Sequence, residues 1–391
     1  QPIRAQNEIV GHAVRAMYLY AGVADVAAVT GDAELLATMD RIWNDVVQSK
    51  MYITGGIGAR HQGEAFGDRY ELPNDSAYAE TCAAIGMILW NHRLHLLHGD
   101  AKYADVMERV LYNGFLSGVA LDGKSFFYVN PLASEGKHHR QPFYDCACCP
   151  TNVVRVLPSL PGYVYSRAAD RVFVNLYVGG KGTVPVDGDN IIIRQETRYP
   201  WEGDVRLLLE MASPVEFELN LRIPDWCDNA RIVINGTPVE RLDLSKGYAR
   251  LRRVWRPGDT IDLTLPMEVR RIESHPLVAA NRGRVALQRG PVVYCFEGVD
   301  NGGRVDDITL PARPEFSVAF HPDLLGGIAV VKTQSADDRP VVAVPYHVWD
   351  HREAGPMAVW VHQEAKPADV DPTDPSWTGR LYRPYVPVGE P

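Results

Sequence analysis

The hydrophobic period of this chain changes once, near Tyr163, and that change restricts what the chain can fold into. Before it, Ile9, Ala13, Met17 and Tyr20 recur at helix spacing, and Asp32 stands where it would cap a second helix running to about Lys50. The helical period returns over residues 78–98 and 101–118, and Pro150 marks the expected start of a further short helix. Between these helices, residues 51–76 carry no helical period, only turn chemistry such as Gly55-Gly56-Ile57-Gly58 and Leu72-Pro73-Asn74-Asp75. After Tyr163 the texture is that of strands. The run Val215-Glu216-Phe217-Glu218-Leu219-Asn220-Leu221-Arg222-Ile223 places an apolar residue at every second position, as a strand with one buried face does. Similar short runs at 172–177, 190–194, 285–287 and 292–296 are separated by Gly, Pro and Asp, which predicts antiparallel β-sandwiches with a seam near 267–275.

The expectation is therefore a multidomain α+β chain: a helical region over 1–162, a first β-sandwich over 163–267 and a second over 268–391. The four or five helices form an incomplete layer, which fits a helical domain that began upstream of Gln1. A net charge of −9 with no Lys/Arg run argues against a nucleic-acid partner. No run reaches the roughly eighteen apolar residues of a membrane span, so no membrane partner is expected. Gln1 is not a start codon residue, and no leader pattern follows it, so a cytoplasmic site is favoured without being fixed.

Six cysteines are too few for a disulfide scaffold, but they cluster. Glu80 and Cys82 form one group, and Cys146, Cys148 and Cys149 another. Glu80, Cys82, Cys148 and Cys149 make a complete tetrahedral set for Zn²⁺, which accepts sulfur and oxygen together. Two residues apart on a regular helix, Glu80 and Cys82 would point about 200° from each other, so they converge only at a helix start or an irregularity. Asn74, Asp75 and Ser76 are candidate caps shortly before them. Buried structural thiols are the competing explanation. A metal-bound thiolate before a helix N-terminus would have a lowered pKa, which allows one cysteine to act as a nucleophile.

Glu64 lies on the long loop, in Gly63-Glu64-Ala65-Phe66, where a partly desolvated carboxyl can serve as a general acid; a solvated loop glutamate is the plainer alternative. His12 falls on the apolar face of the first helix, a place where core histidines are common. His92, His95 and His98 are read as structural, and His138-His139 as solvent-facing.

Several segments together resemble glycoside hydrolase family 127, the β-L-arabinofuranosidases. They are Glu8-Ile9-Val10-Gly11-His12-Ala13-Val14-Arg15-Ala16-Met17-Tyr18-Leu19, Tyr52-Ile53-Thr54-Gly55-Gly56-Ile57-Gly58, Gly63-Glu64-Ala65-Phe66, Tyr70-Glu71-Leu72-Pro73-Asn74-Asp75, Glu80-Thr81-Cys82-Ala83 and Cys148-Cys149-Pro150-Thr151-Asn152. The resemblance implies part of an (α/α)₆ barrel followed by two β-sandwiches, with Zn²⁺ held by Glu80, Cys82, Cys148 and Cys149. It implies a retaining glycosidase in which Cys148 attacks the anomeric carbon and Glu64 acts as acid and then base. His12 and Tyr128 match family positions lining the sugar pocket. The implied partner is a glycoside or oligosaccharide; a homodimer is allowed. Members carry roughly the first half of the barrel ahead of the His12 segment, and this chain departs from them there. Cys146 could also reach the metal and receives no role. A noncatalytic carbohydrate-binding or assembly protein with a structural zinc site is the alternative.

Overall fold

The computed structural model describes residues 1–367 and 370–387. The last positions expected in the second sandwich, 388–391, and positions 368–369 within it lie outside the described residues. By its contacts the chain divides into two compact units, Gln1–Trp90 with Arg109–Val153 and Val269–Pro391, and Asn91–Glu108 with Val154–Glu268.

The first unit opens with a helical hairpin. Helix α1 covers Ala13–Thr30 and ends at Gly31, whose left-handed φ of 66° lets its N–H close on Ala27 O. Asp32 follows at once and caps α2, Ala33–Ser49, by accepting the N–H groups of Glu34 and Leu35. The cap expected at Asp32 is therefore present. The helix expected to include Ile9 instead starts at Ala13, because Gly11 adopts φ 80° and His12 is extended. Ile9 is buried all the same, and its N–H donates to Asp45 while its carbonyl accepts from the buried Lys50 ammonium. By length and mean composition α1 is apolar enough to cross a membrane, although Arg15 and Asp25 interrupt its apolar run. Its buried positions, among them Met17, Tyr20 and Ala24, are those of a core helix.

Helix α3, Thr81–His98, starts in this unit and crosses α1 closely. The close crossing depends on Gly86, where a Cβ would sit 2.6 Å from the Met17 Cβ. Helix α4, Ala101–Arg109, was expected to run on to 118; it gives way instead to a wide turn over Val110–Phe115. That turn has two reasons. Gly55 packs so tightly on Val110 that a Cβ there would lie 2.6 Å from the Val110 side chain. Asn113 turns inward, donating to Arg109 O and Pro291 O and accepting from Val293 N–H. Asn113 thus fastens the strand Val292–Glu297, every residue of which is buried.

That strand changes partner along its length, from Arg284–Arg289 to Pro340–Pro345 to Met357–Ala358. The last of these also pairs with Ala133–Ser134 from the helical region. The C-terminal strands consequently join one eleven-stranded hydrogen-bonded network rather than two separate sheets.

In the second unit the alternating run forms the strand Val215–Arg222, central to a five-stranded sheet, with a six-stranded sheet beside it in sequence. One buried charge cluster ties helix to strand there. Arg222, fully buried, pairs with Asp105 at 2.6 Å and with Glu108, and Tyr199 donates to the same Glu108 carboxylate. A buried arginine is tolerable only with such complete pairing. His95 is structural as expected: buried, with ring nitrogens at 3.1 Å from Ser166 Oγ and 3.3 Å from Asp100 O. Burial holds its pKa below the usual histidine value.

Replacing Gly86 by Ala should lower stability by about 1–3 kcal/mol, because Met17 must shift to admit the methyl group. A lowered midpoint of urea unfolding with an unchanged slope is the expected outcome. An unchanged midpoint would show that the α1–α3 contact is looser than the structure indicates.

Candidate metal centre and active site

Two helix starts face one another in the first unit. Glu80 is the residue before α3, and its carbonyl already accepts the Ala83 and Ala84 N–H groups. Cys82 lies on the first turn. This is the irregular position that their spacing requires, although the cap is Glu80 itself and not residues 74–76. Asn74 instead donates to Asn281, and the Ser76 N–H is bonded to Asp75. The second start is α5, Cys148–Val156, which begins two residues earlier than Pro150 suggested. Pro150 fits the first turn because N–H groups there have no helical partner.

At this meeting point one ligand atom from each of Glu80, Cys82, Cys148 and Cys149 lies within 4.8 Å of the others. Sulfur separations are 3.5 Å for Cys82–Cys149 and 3.8 Å for Cys148–Cys149. The Glu80 Oε1 is 3.5 Å from Cys148 Sγ and 3.6 Å from Cys149 Sγ, while Glu80 Oε2 is buried with no protein partner. All six cysteines are free thiols, so the cluster is no disulfide. Such a group can hold a metal ion.

The charges inside it oppose one another. Burial, and next the negative Cys148, push the Glu80 carboxyl up to about 8. Cys148 moves the other way, well below the usual thiol range, because Cys149, Cys82 and the Tyr128 hydroxyl hydrogen-bond to its sulfur. Cys149 is pushed up as the donor in that arrangement, and Cys82 is likewise raised by its bond to Cys148. The bonds converging on the Cys148 sulfur favour negative charge there over Cys82 and Cys149. The macrodipoles of α3 and α5 favour negative charge at the same spot.

Tyr128 is brought in by a clamp of backbone and side-chain bonds. Thr81 N–H donates to Tyr128 O and Thr81 Oγ1 to Phe127 O. Asn130 donates to Thr81 Oγ1 and Ala79 O and accepts from Ser117. The Tyr128 hydroxyl then lies 3.2 Å from Cys148 Sγ, and burial together with that bond raises its pKa.

Glu64 projects from a tight turn, Gln62–Glu64, in which Gly63 and Glu64 both have positive φ, 72° and 50°. Bonds between Arg60 and Ala65 and from Phe66 N–H to Gly11 O hold the turn against the entry to α1. Left-handed glutamate costs of order 1 kcal/mol, and such strain gathers at working sites. The Glu64 carboxylate meets His12 Nε2 at 2.8 Å and accepts from the Tyr78 hydroxyl. Tyr78 stands edge-on to Tyr128, with centroids 6.2 Å apart, and so links Glu64 to the sulfur cluster.

Sequence reasoning missed Tyr78, Tyr144 and Asn152. Tyr144 accepts Tyr128 N–H at 3.1 Å, and Asn152 bonds to both Cys82 and Tyr18. Asn152 was within a quoted motif and Tyr78 two residues from one; Tyr144 carried no signal. His138 proves half-buried, stacked on Phe127 at 4.7 Å, while its neighbour His139 is exposed and pairs with Asp350. Cys146 is exposed and outside the four-membered group.

Helices carrying a thiol–carboxylate centre, followed by β-sheets, make this a multidomain α+β protein. Three consecutive segments match family profiles: "Beta-L-arabinofuranosidase, GH127 catalytic domain" over 1–162, "Beta-L-arabinofuranosidase, GH127 middle domain" over 171–267, and "Glycoside hydrolase family 127 C-terminal domain" over 269–362. The chain belongs to glycoside hydrolase family 127. It is 34% identical to a non-reducing end β-L-arabinofuranosidase of Bifidobacterium longum subsp. longum, across 91% of this chain and 60% of that protein. A solved GH127 β-L-arabinofuranosidase from Geobacillus stearothermophilus T6 is 44% identical with a TM-score of 0.90, covering 93% of this chain and 62% of that one. A second solved GH127 β-arabinofuranosidase is 47% identical with a TM-score of 0.88 at the same coverage. The chain thus spans about three-fifths of the length of these relatives.

In the metal-free chain, iodoacetamide should label the exposed Cys146 and the half-buried thiolate Cys148 well before the buried Cys82 and Cys149. A bound metal ion should protect Cys148 and leave Cys146 reactive, as read by mass-spectrometric mapping. Equal labelling of Cys148 and Cys149 would contradict the charge distribution described.

Proposed function

We propose that the chain is the site-bearing part of a retaining β-L-arabinofuranosidase in which Cys148 is the nucleophile and Glu64 the acid–base. The observation that carries this is the placement of Cys148. It is the one half-buried member of the four-residue group, at a helix start and bonded to Tyr128. Family membership and the named activity of the relatives support the choice of substrate class. On this reading residues 1–162 are the C-terminal part of an (α/α)₆ barrel.

The donor set fits Zn²⁺. Bonds of about 2.3 Å to sulfur and about 2.0–2.2 Å to oxygen give tetrahedral edges of roughly 3.8 Å between sulfurs and roughly 3.5 Å from sulfur to oxygen. Four of the six observed edges are 3.5 and 3.8 Å between sulfurs and 3.5 and 3.6 Å from sulfur to oxygen, and the remaining two lie within 4.8 Å. Glu80, Cys82, Cys148 and Cys149 would hold the ion. When bound, it supplies the positive charge that keeps all three thiols and the carboxyl deprotonated together.

The reaction follows from the chain's own groups. His12 and Tyr128 line the sugar site and fix the ring over Cys148. Cys148 Sγ forms a bond to the anomeric carbon as the glycosidic C–O bond breaks, and Glu64 gives its proton to the departing oxygen. Water then attacks the same carbon, Glu64 takes its proton, and the C–S bond breaks to restore the thiolate. Two inversions leave the configuration retained. Tyr78 and His12 hold the Glu64 carboxyl through both steps.

A second reading has one observation in its favour: a complete four-ligand thiol–carboxylate set is what structural zinc sites use. Metal analysis together with hydrolysis of p-nitrophenyl β-L-arabinofuranoside separates the two. The expected outcome is about one zinc per chain with turnover. Cys148→Ser should keep most of the zinc while losing at least about a thousandfold in kcat, and Glu64→Gln should lose about 10²–10⁴-fold. Turnover surviving in Cys148→Ser would sink the nucleophile assignment, and stoichiometric zinc without any hydrolysis would favour the structural reading.

A further inference from the structure

Asn152 stands where three helices of the first unit meet. It lies on α5 three residues after Cys149 and four after Cys148, one turn further along the face that carries those thiols. Its carbonyl Oδ1 accepts the Tyr18 hydroxyl of α1 at 3.0 Å. The amide is thereby turned so that its N–H end faces α3, where it bonds to the Cys82 sulfur. Tyr18 lies against α3 itself, since a Cβ at Gly86, one turn after Cys82, would meet its ring at 3.8 Å.

Asparagine is a poor helix former, and a buried amide is costly unless both its ends are bonded. Asn152 is 8% exposed. A tie between α1 and α5 needs only its carbonyl end, yet the N–H end goes to a sulfur that is itself 2% exposed. The charge of the site gives that second bond a use. Four ionised ligands around one doubly charged cation leave an excess of two negative charges. Donors to the ligand atoms offset such an excess and fix where each ligand points. Cys148 has a donor of this kind in the Tyr128 hydroxyl at 3.2 Å, and Asn152 is the counterpart for Cys82.

We propose that Asn152 is a positioning residue of the metal centre: its amide N–H, aimed by the Tyr18 hydroxyl, holds the Cys82 sulfur on the ion. The inference rests on the reading that Glu80, Cys82, Cys148 and Cys149 bind Zn²⁺. It adds a bonded chain, Tyr18 to Asn152 to Cys82, through which α1 and α5 support a ligand carried by α3. Glu64, His12 and Tyr128 take no part in that chain, so metal binding reports on it directly.

Zinc affinity of the full chain, read by competition with a chelator of known strength, should fall about 10–100-fold in Asn152→Ala. Asn152→Leu, which fills the same space without a donor, should do the same. Tyr18→Phe breaks the bond between α1 and α5 but keeps the donor on sulfur, and should cost clearly less. With Co²⁺ in place of zinc, the sulfur-to-cobalt charge-transfer band should move to longer wavelength in both Asn152 variants and stay in place in Tyr18→Phe. Loss of a hydrogen bond raises the energy of the sulfur lone pairs, which a mere helix tie would not do. Unchanged zinc affinity with an unmoved cobalt band in the Asn152 variants would overturn the proposal. Equal losses in Tyr18→Phe and Asn152→Ala would also overturn it, in favour of a plain tie between helices. A wild-type chain that takes up neither ion would instead overturn the metal-centre reading, and this inference with it.

Discussion

Four groups that can each carry a negative charge share a space less than 5 Å across, and much of the first unit is arranged around that crowding. Three are buried and the fourth half-buried, so water cannot screen them. Within the cluster the Glu80 carboxyl is pushed up to about 8, the Cys82 and Cys149 thiols are raised, and the Cys148 thiol is lowered by the bonds it receives. Two helix N-termini are aimed at the same point, which is the fold's own partial answer to the charge. A divalent cation held there would answer it more fully, by allowing all four groups to ionise at once.

The backbone needed to reach that arrangement is irregular where the chemistry is. Ala79 and Glu64 both adopt left-handed φ, and Gly63 precedes one of them. A bonded clamp around Asn130 and Thr81 then fixes Tyr128 against Cys148, so the strained segments are held by polar bonds. The C-terminal sheet contributes to the same unit. Asn113 fastens a buried strand to the turn after α4, and Arg140, buried, donates to Trp349 O and stacks on Phe127 at 4.1 Å, beside Tyr128 in the chain. The sheet thereby supports the back of the site rather than standing apart as an accessory.

The second unit solves a different problem, a sheet with one dry face and one wet one. Its helical segment is secured by Arg222 with Asp105 and Glu108, a fully paired buried cluster. The end of α3 then shelters part of the wet face, which turns an ordinary solvated surface into a polar cleft floored by Asn220 and Phe173.

Much of this was legible in the residues. The alternation at 215–223 appears as the strand Val215–Arg222, and Asp32 announces α2 because capping is a local interaction. The four residues of the cluster could be picked out because thiols and a carboxylate grouped this way have few ordinary uses. Other features were decided only by tertiary structure. Helix α4 stops at Arg109 because Gly55 and Asn113 meet distant partners there, and nothing within 101–118 encodes those contacts. Tyr144 and Tyr78 join the site through bonds to residues far away in sequence or around a turn, so periodicity could not mark them. Which of the three sulfurs is best placed to hold negative charge depends on which receives the most hydrogen bonds, a matter of angstroms between two helix ends. Local sequence therefore determined the elements and the kinds of donor, while the relative placement of those elements determined which donors meet and which sulfur receives the most hydrogen bonds.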